Sequence, residues 1–343
     1  MRANLAAALL LAPTILVAQS DQRSLSGSTI AIYDLVGEIR AVAGTGSDVS
    51  VAVSRTGPDA AKLTIETGMI GSKNTLRVIF PDTHIIYPKL GRHSTTTLDV
   101  YDDGTFNGRS GGHRVRITGD GSGLEAAANL VVSIPAGKTI TLNLGVGSVN
   151  VSNVNGNISV DAAGADVTTE NTKGSLSLDT GSGSAKITNA DGDLTIDSGS
   201  GEVTISKVKG SLLKLDSGSG DIRADAITVD RADLDSGSGE VTISGLGART
   251  ISLDSGSGDV DIALTGDVDR LDIDSGSGSV TLHIPSTLGA QLDIDAGSGG
   301  VKSEMEIQVT HYDSDRLVGK IGDGKGSIRI ESGSGEVRLV KAN

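Results

Sequence analysis

Short apolar alternations, separated by small polar breaks, run through most of the chain. Between Leu194 and Lys209 the apolar positions are Leu194 and Ile196, then Val203 and Ile205, with one break at Ser198 to Gly201 and a second from Lys207 to Gly210. Alternation with period two over about five residues predicts strand, turn, strand, turn. The same phrase returns many times. It reads Asp179-Thr-Gly-Ser-Gly183 and Asp197-Ser-Gly-Ser-Gly201, then recurs from Asp216, Asp235, Asp254 and Asp274, with variants from Asp295 and Glu331. The steps are 18, 19, 19, 19, 20, 21 and 36 residues, which marks a repeat architecture. Because the last step is twice 18, a degenerate unit is expected near Asp313-Ser314-Asp315, and earlier echoes near Asn143 and Asp161.

One unit offers only three to five medium aliphatic side chains and cannot bury an apolar face alone. Stacking solves this: parallel strands pair with the windings above and below at about 4.8 Å and enclose a thin aliphatic interior. The expected fold is therefore all-β, a single-stranded β-solenoid, parallel β-helix-like, with windings of 18–20 residues, two short strands per winding and an N-terminal β cap. The glycines of the turn are expected to supply positive φ and close approach of adjacent windings. Ser198 and Ser200 share parity with Ile196 and are expected to point inward and bond from winding to winding. The leading Asp of each phrase is expected to cap its own turn as an Asx-turn, or, as a second possibility, to join a carboxylate row that gathers calcium. Stacked carboxylates about 5 Å apart repel by roughly 1 kcal/mol per neighbour in water, and Lys186, Lys207, Lys214, Arg223 and Arg231 fall too irregularly to neutralise each rung.

Outside the regular repeats the pattern changes. Residues 21–80 contain five short alternating segments without a fixed period, including Thr29 to Tyr33, Asp48 to Val53 and Leu76 to Phe80. Together with a loop insertion at 81–123 they form an expected irregular N-terminal region, 21–140, ahead of a regular solenoid over 141–343. The insertion holds His84, His93 and His113 and a local excess of Arg, and is read as a tolerated interruption between two strands, with a functional binding loop as the second reading; spacings of 9 and 20 residues specify no convergence of the histidines on a metal. Arg338 and Lys341 on the final strand are expected to discourage end-to-end stacking of an exposed edge. No helix of convincing length appears.

Composition narrows the function classes. With two Phe, four Tyr and no Trp among 343 residues, an ordinary globular core is disfavoured, while 48 Gly with regular Val, Ile and Leu suits a repeat fold. A net charge of −14 excludes a basic stripe for phosphates and speaks against nucleic acid and against docking on anionic lipid. Met1-Arg2, the apolar run Leu5 to Val17 and Ala18-Gln19-Ser20 read as a signal peptide, residues 1–20, cleaved near 18–20. An exported protein, periplasmic or extracellular, is expected. The absence of cysteine leaves stability to stacking.

Asp34-Leu-Val-Gly-Glu-Ile-Arg-Ala-Val42, Val132-Ser-Ile-Pro-Ala-Gly137, Gly147-Ser-Val-Asn-Val151 and the Ser-Gly-acid-Val repeats carry a family resemblance. So does the ending Leu317 to Gly324, Ser327 to Ile330 and Gly335 to Leu339. The chain resembles the putative-adhesin family of β-strand-repeat domains, a bacterial family of unknown function. The resemblance implies architecture and an adhesin-like or envelope-associated binding role, with cell-surface or envelope polysaccharide or protein as partner. It brings no catalytic residue set. No catalytic, cofactor-binding or metal residue is singled out, and no cofactor is expected. A structural spacer or envelope scaffold fits the same pattern. A carbohydrate-active enzyme on a β-helix is the weaker alternative, because a catalytic site is a local exception and these acids are copies. Ice binding would want one repeated Thr row, but Thr204 is followed in register by Arg223, Thr242, Asp261, Thr281 and Lys302.

Overall fold

The computed structural model describes residues 21–107 and 111–342; the expected signal peptide lies outside them. Two three-residue 3₁₀ turns, Ala60–Lys62 and Pro88–Leu90, are the helical elements among the described residues, and the rest of the regular structure is β. The fold is β-solenoid-like.

Strands pair in parallel with the strand one phrase further on. Leu176–Thr180 pairs with Leu194–Ser198, which pairs with Leu212–Ser217. On the other side of the turn, Ala185–Asp191 pairs with Val203–Lys209 and that strand with Ile222–Ser236. Alternate side chains of both tracks point into one continuous aliphatic core, in which Leu194, Ile196, Val203, Ile205, Leu213 and Leu215 are at most 1% exposed and their copies on other rungs are buried as well. Each such side chain withdrawn from water contributes about 1.5–3 kcal/mol. Because the pattern has period two, the intervening residues face solvent.

Two kinds of corner close each winding. At one, Asn153, Asn171, Asn189, Lys207 and Ala226 adopt left-handed φ of 53–57°. Asn tolerates this conformation best among residues with a Cβ, and here the amides also form a ladder: Asn171 donates to Asn153 at 3.2 Å and Asn189 to Asn171 at 2.6 Å. The other corner is the Ser-Gly-Ser-Gly turn. Its glycines at 199, 201, 218 and 220 do not take positive φ. Their role is close approach alone: a Cβ on Gly220 would lie 2.0 Å from the Gly201 carbonyl oxygen. The turns bond rung to rung through their backbones, as when Gly218 N donates to Ser198 O at 2.9 Å and Ser219 N to Gly199 O at 3.1 Å.

The two ends depart from the expectations. Near the N-terminus, Thr29–Ala43 pairs directly with Lys138–Ser152, so it belongs to the stack although 94 residues separate the two in sequence. The intervening chain supplies the next parallel layer, Lys73–Ile79 and Ala127–Ile134. Antiparallel strands Thr64–Ile70, Val49–Thr56 and Asp21–Leu25 then cover that layer. At the C-terminus, Gly326–Ser332 slides between Arg270–Ser275 and Ala290–Asp295, and Val337–Lys341 between Val280–Ile284 and Val301–Ser303. The 36-residue step therefore hides no degenerate unit. Asp313-Ser314-Asp315 is the turn of an antiparallel hairpin, Gln308–Tyr312 with Arg316–Ile321, laid against the outermost winding. Arg338 thus lies on an interior rung, between Thr281 and Lys302, and protects no edge, whereas Lys341 pairs with Ile284 on one side alone. The outer strand is Gln308–Tyr312, where a register shift between Val309 and His311 breaks the ladder, a feature that hinders edge-to-edge pairing.

The insertion is a folded unit. His84–Ile86, Thr95–Val100 and His113–Thr118 form a separate three-stranded sheet. Its side chains Ile85, Leu98, Val100, Phe106, Val115 and Ile117 make a second core against Leu35, Val36 and Val146 of the solenoid. Tyr33 meets Phe106 edge-on, with ring centroids 5.7 Å apart.

Candidate binding strip and cleft

The register places every phrase of the repeat on one strip. Asp161, Asp179, Asp197, Asp216, Asp235, Asp254, Asp274, Glu331 and Asp295 stand on successive rungs of a first carboxylate row. On the far side of the turn a second, mixed row runs Glu38, Ser148, Asp166, Ser184, Glu202, Asp221, Glu240, Asp259, Ser279 and Glu336. Between the rows lie the exposed second serines of the turns, such as Ser200 and Ser219.

The first serine of each turn is buried and acts within its own turn. Ser198, Ser217, Ser236, Ser255, Ser275 and Ser332 each donate from Oγ to the carbonyl of the glycine three residues on, at 2.9–3.2 Å. This corrects the expectation of serine bonds between windings, and of an inward Ser200. The leading Asp is likewise not the turn cap: the hydroxyl already holds the turn, and the carboxylate at the preceding position points to solvent. Only Asp295, where Ala296 replaces the serine, accepts from its own turn, at Gly297 N, 3.1 Å. Acids of the second row instead bridge rungs: Asp166, Asp221 and Asp259 accept the backbone N–H of Ser184, Glu240 and Ser279 at 2.8–3.1 Å.

Basic side chains relieve part of the repulsion. Arg223 bridges Glu202 at 2.7 Å and Asp221 at 3.0 Å, Arg329 pairs with Glu331, and Lys302 and Arg338 pair with Glu336. Where no such partner stands nearby, burial and neighbouring charge raise the carboxyls. Asp235 is raised by burial and by Asp216 and Asp254. Asp179 is raised by burial and by Asp197. Asp161 is pushed up to about 6, chiefly by burial and then by Asp179, against a hydrogen bond from Asn107 of the insertion.

The insertion explains that exception, because it sits on the first rungs of this very strip. In register with the Ser-Gly-Ser-Gly phrase stand Asp34-Leu35-Val36-Gly37 and Leu144-Gly145-Val146-Gly147. There apolar Leu35, Val36 and Val146 replace the exposed turn residues and receive the second core. Gly145 is needed for the fit, since a Cβ there would lie 2.7 Å from Leu98 Cδ1. Asp34 occupies the place of the buried serine. It is fully buried, receives the Val36 N–H at 3.4 Å and leaves Oδ2 without a partner, and burial raises its carboxyl well above the ordinary range.

Where the covered rungs give way to the open strip there is a cleft of about 430 Å³. Its floor is the strip itself, Glu38, Gly147, Ser148, Gly164, Asp166 and Ser182, and its overhang is Tyr87, Lys89 and Leu90 of the insertion. Burial raises the half-buried Tyr87 phenol, and the charges of Asp34 and Glu38 add to the effect. Sequence reasoning did not single these residues out. The available signal was Tyr87-Pro88, one of four tyrosines in a chain almost free of aromatics, within the insertion that interrupts the strand pattern. The insertion's histidines go elsewhere: His93 faces Asp120 at 3.6 Å and His113 faces Asp102 at 3.7 Å. No group of three or more His, Asp or Glu converges on a metal position among the described residues.

No curated protein matches the chain. Two solved structures are similar at low identity. One is described as a "putative cell adhesion protein" from Clostridium sporogenes, 11% identical, covering 94% of this chain and 100% of its own, with a TM-score of 0.20. The other is described as a "putative lipid binding protein" from Parabacteroides distasonis, 15% identical, covering 95% and 98%, with a TM-score of 0.40. The Toastrack DUF4097 family model matches residues 94–340, from within the insertion to the last strand. With most of its length matched, the chain belongs to the Toastrack DUF4097 family.

Proposed function

We propose that the chain is an exported, non-catalytic, adhesin-like binding protein of the cell envelope that presents a rigid acidic repeat surface to an envelope polysaccharide or protein. The observation that carries this reading is the strip. From Asp179 to Glu331 it offers carboxylates and exposed serines at a constant rung spacing of about 4.8 Å, fixed by backbone pairing rather than by mobile loops. Such a surface engages an extended partner through many weak contacts whose combined strength grows with each rung that is engaged simultaneously. The acids recur as copies, which suits multivalent contact better than a single reacting centre.

The test is co-sedimentation of the purified protein with intact cells and with isolated envelope polysaccharide, in calcium and in chelator. Saturable sedimentation is expected. Its loss in chelator would mean that calcium bridges the carboxylate rows to the partner. Failure to sediment under either condition would refute the binding role and leave the spacer reading. Fractionation of the producing cells checks export, which requires the product outside the cytoplasm.

A further inference from the structure

We infer that the cleft under Tyr87 is a saccharide subsite, selective for amino sugars carried either as the free amine or as the N-acetyl derivative. The inference rests on the binding role proposed above and gives it an address. Four features of the cleft lead to it.

The first is its shape. The floor is built from successive rungs, so Glu38, Ser148 and Asp166 lie in one line at about 4.8 Å per step. The advance of one ring in an extended glycan is comparable, and the line accommodates about two rings. Gly164 keeps this floor low, since a Cβ there would lie 3.0 Å from Thr96 Oγ1 of the insertion, while Gly147 lets the rungs stack closely, its Cβ position lying 1.8 Å from the Gly37 carbonyl oxygen.

The second is the aromatic overhang. Tyr87 is anchored by its backbone N–H to the Thr118 carbonyl at 2.8 Å and packs against the second core, so its ring is held in place before any ligand arrives. A fixed aromatic face suits the apolar C–H face of a sugar ring, with little rotamer entropy left to lose.

The third is the polar set. Glu38 and Asp166 are acceptors, and their carboxylates are available to a hydroxyl, an ammonium group or an amide N–H. Asp166 already spends one oxygen on Ser184 N and Glu38 receives only a long 3.5 Å contact from Asn150, so both keep lone pairs to offer. Lys89, which forms no ion pair among the described residues, stands opposite them as a donor for a hydroxyl or an acetamido carbonyl. Leu90 beside it gives a methyl group an apolar contact.

The fourth is charge. A chain of net charge −14 with two carboxylate-bearing rows leading to the cleft repels polyanionic glycans, attracts the protonated free-amine sugars and leaves the neutral N-acetyl sugars unopposed. Neutral and cationic members of the class are therefore favoured over uronic-acid polymers.

The experiment uses the N-acetylglucosamine trimer, its fully de-acetylated amine trimer and a hyaluronan oligosaccharide of similar length, titrated into the purified protein by calorimetry and by tyrosine fluorescence. The chain has no tryptophan and four tyrosines, so a change at Tyr87 is a large share of the signal. Saturable binding of one or both amino-sugar trimers is expected, with the hyaluronan oligosaccharide bound at least about tenfold more weakly. Tyr87→Ala and the cleft-filling Ser182→Arg should each weaken binding by about tenfold or more. Ser257→Arg, at the equivalent turn position on an open rung, should leave it unchanged. Since Ser182 is an exposed surface residue, its variant separates loss of the cleft from loss of the fold, which circular dichroism confirms. No saturable heat or fluorescence change with either trimer would overturn the subsite, as would binding that survives Ser182→Arg. Co-sedimentation with envelope material separates the two readings: sedimentation without trimer binding refutes the subsite alone, whereas trimer binding without sedimentation refutes the envelope role alone.

Discussion

Replacing Asp161 by Asn should make the protein more stable at neutral pH, and the sign follows from where this carboxyl sits. Asp161 is the first acid of its row and the only one beneath the insertion, where burial, the Asp179 charge and Asn107 set its ionisation near pH 6 instead of 3.8. Below about 4 it is protonated in both folded and unfolded chains. Between about 4 and 6 the folded protein keeps a proton that the unfolded chain has lost, so stability falls as pH rises through this window, and above it the loss is complete. The difference between the two values corresponds to a ceiling of about 3 kcal/mol, which solvent screening at this partly exposed rung reduces to about 1–2 kcal/mol. An Asn amide is isosteric, never ionises and can still bond Asn107. Urea unfolding followed by circular dichroism at pH 3.5, 5.0 and 7.5 measures the effect. The variant should match the parent at the lowest pH and gain about 1–2 kcal/mol at the highest. Asp34, whose raised carboxyl acts with the same sign, is common to both proteins and cancels in the difference. Parallel pH curves for the two proteins, or a variant less stable at pH 7.5, would show that Asp161 carries no such strain.

Four further substitutions probe the stacking and its turns. Gly220→Ala should cost about 2–4 kcal/mol, because its methyl meets a backbone carbonyl at 2.0 Å and only separation of two rungs can relieve the clash, whereas Gly266→Ala, with open space around its Cβ, should be close to neutral in the same thermal melt. Ser217→Ala removes the buried bond to the Gly220 carbonyl and should cost about 1–2 kcal/mol. The reciprocal change Thr180→Ser, at the one phrase where a buried hydroxyl lacks a partner, should be neutral or stabilising in chemical denaturation.

The regular part of the fold was legible because period-two alternation and a fixed phrase length are written directly in the residues. The register of Asp161 with Asp179, and of Thr204 with Arg223, Thr242, Asp261 and Thr281, is the one the spacing implies. What could not be read was order in space where it departs from order in sequence. Gly326–Ser332 carries an ordinary phrase, and nothing in it says that it inserts beneath Ala290–Asp295 rather than following it. The same holds for Thr29–Ala43, which joins Lys138–Ser152 across the whole N-terminal cover. Turn chemistry was misassigned for a different reason. Both Asp and Ser can cap a turn, and the choice between them depends on which one the winding buries.

The candidate cleft was hidden for a related physical cause. A stack of identical rungs offers every ligand many equivalent positions and no preferred one. Specific recognition requires a place where the repeat is broken, and here two breaks coincide. Apolar Leu35, Val36 and Val146 replace the exposed turn residues on the first rungs and hold the insertion down. Rungs 164–166 and 182–183 then reappear from beneath it with the polar turn restored. Tyr87, Lys89 and Leu90 meet the strip at this boundary, so the cleft inherits the rung spacing on its floor and an aromatic on its roof. Neither half is a site alone: the strip lacks an anchor and the insertion lacks a floor. A sequence motif records residues that are neighbours along the chain, and this arrangement joins residues 38, 87, 148 and 166, which only the winding brings together.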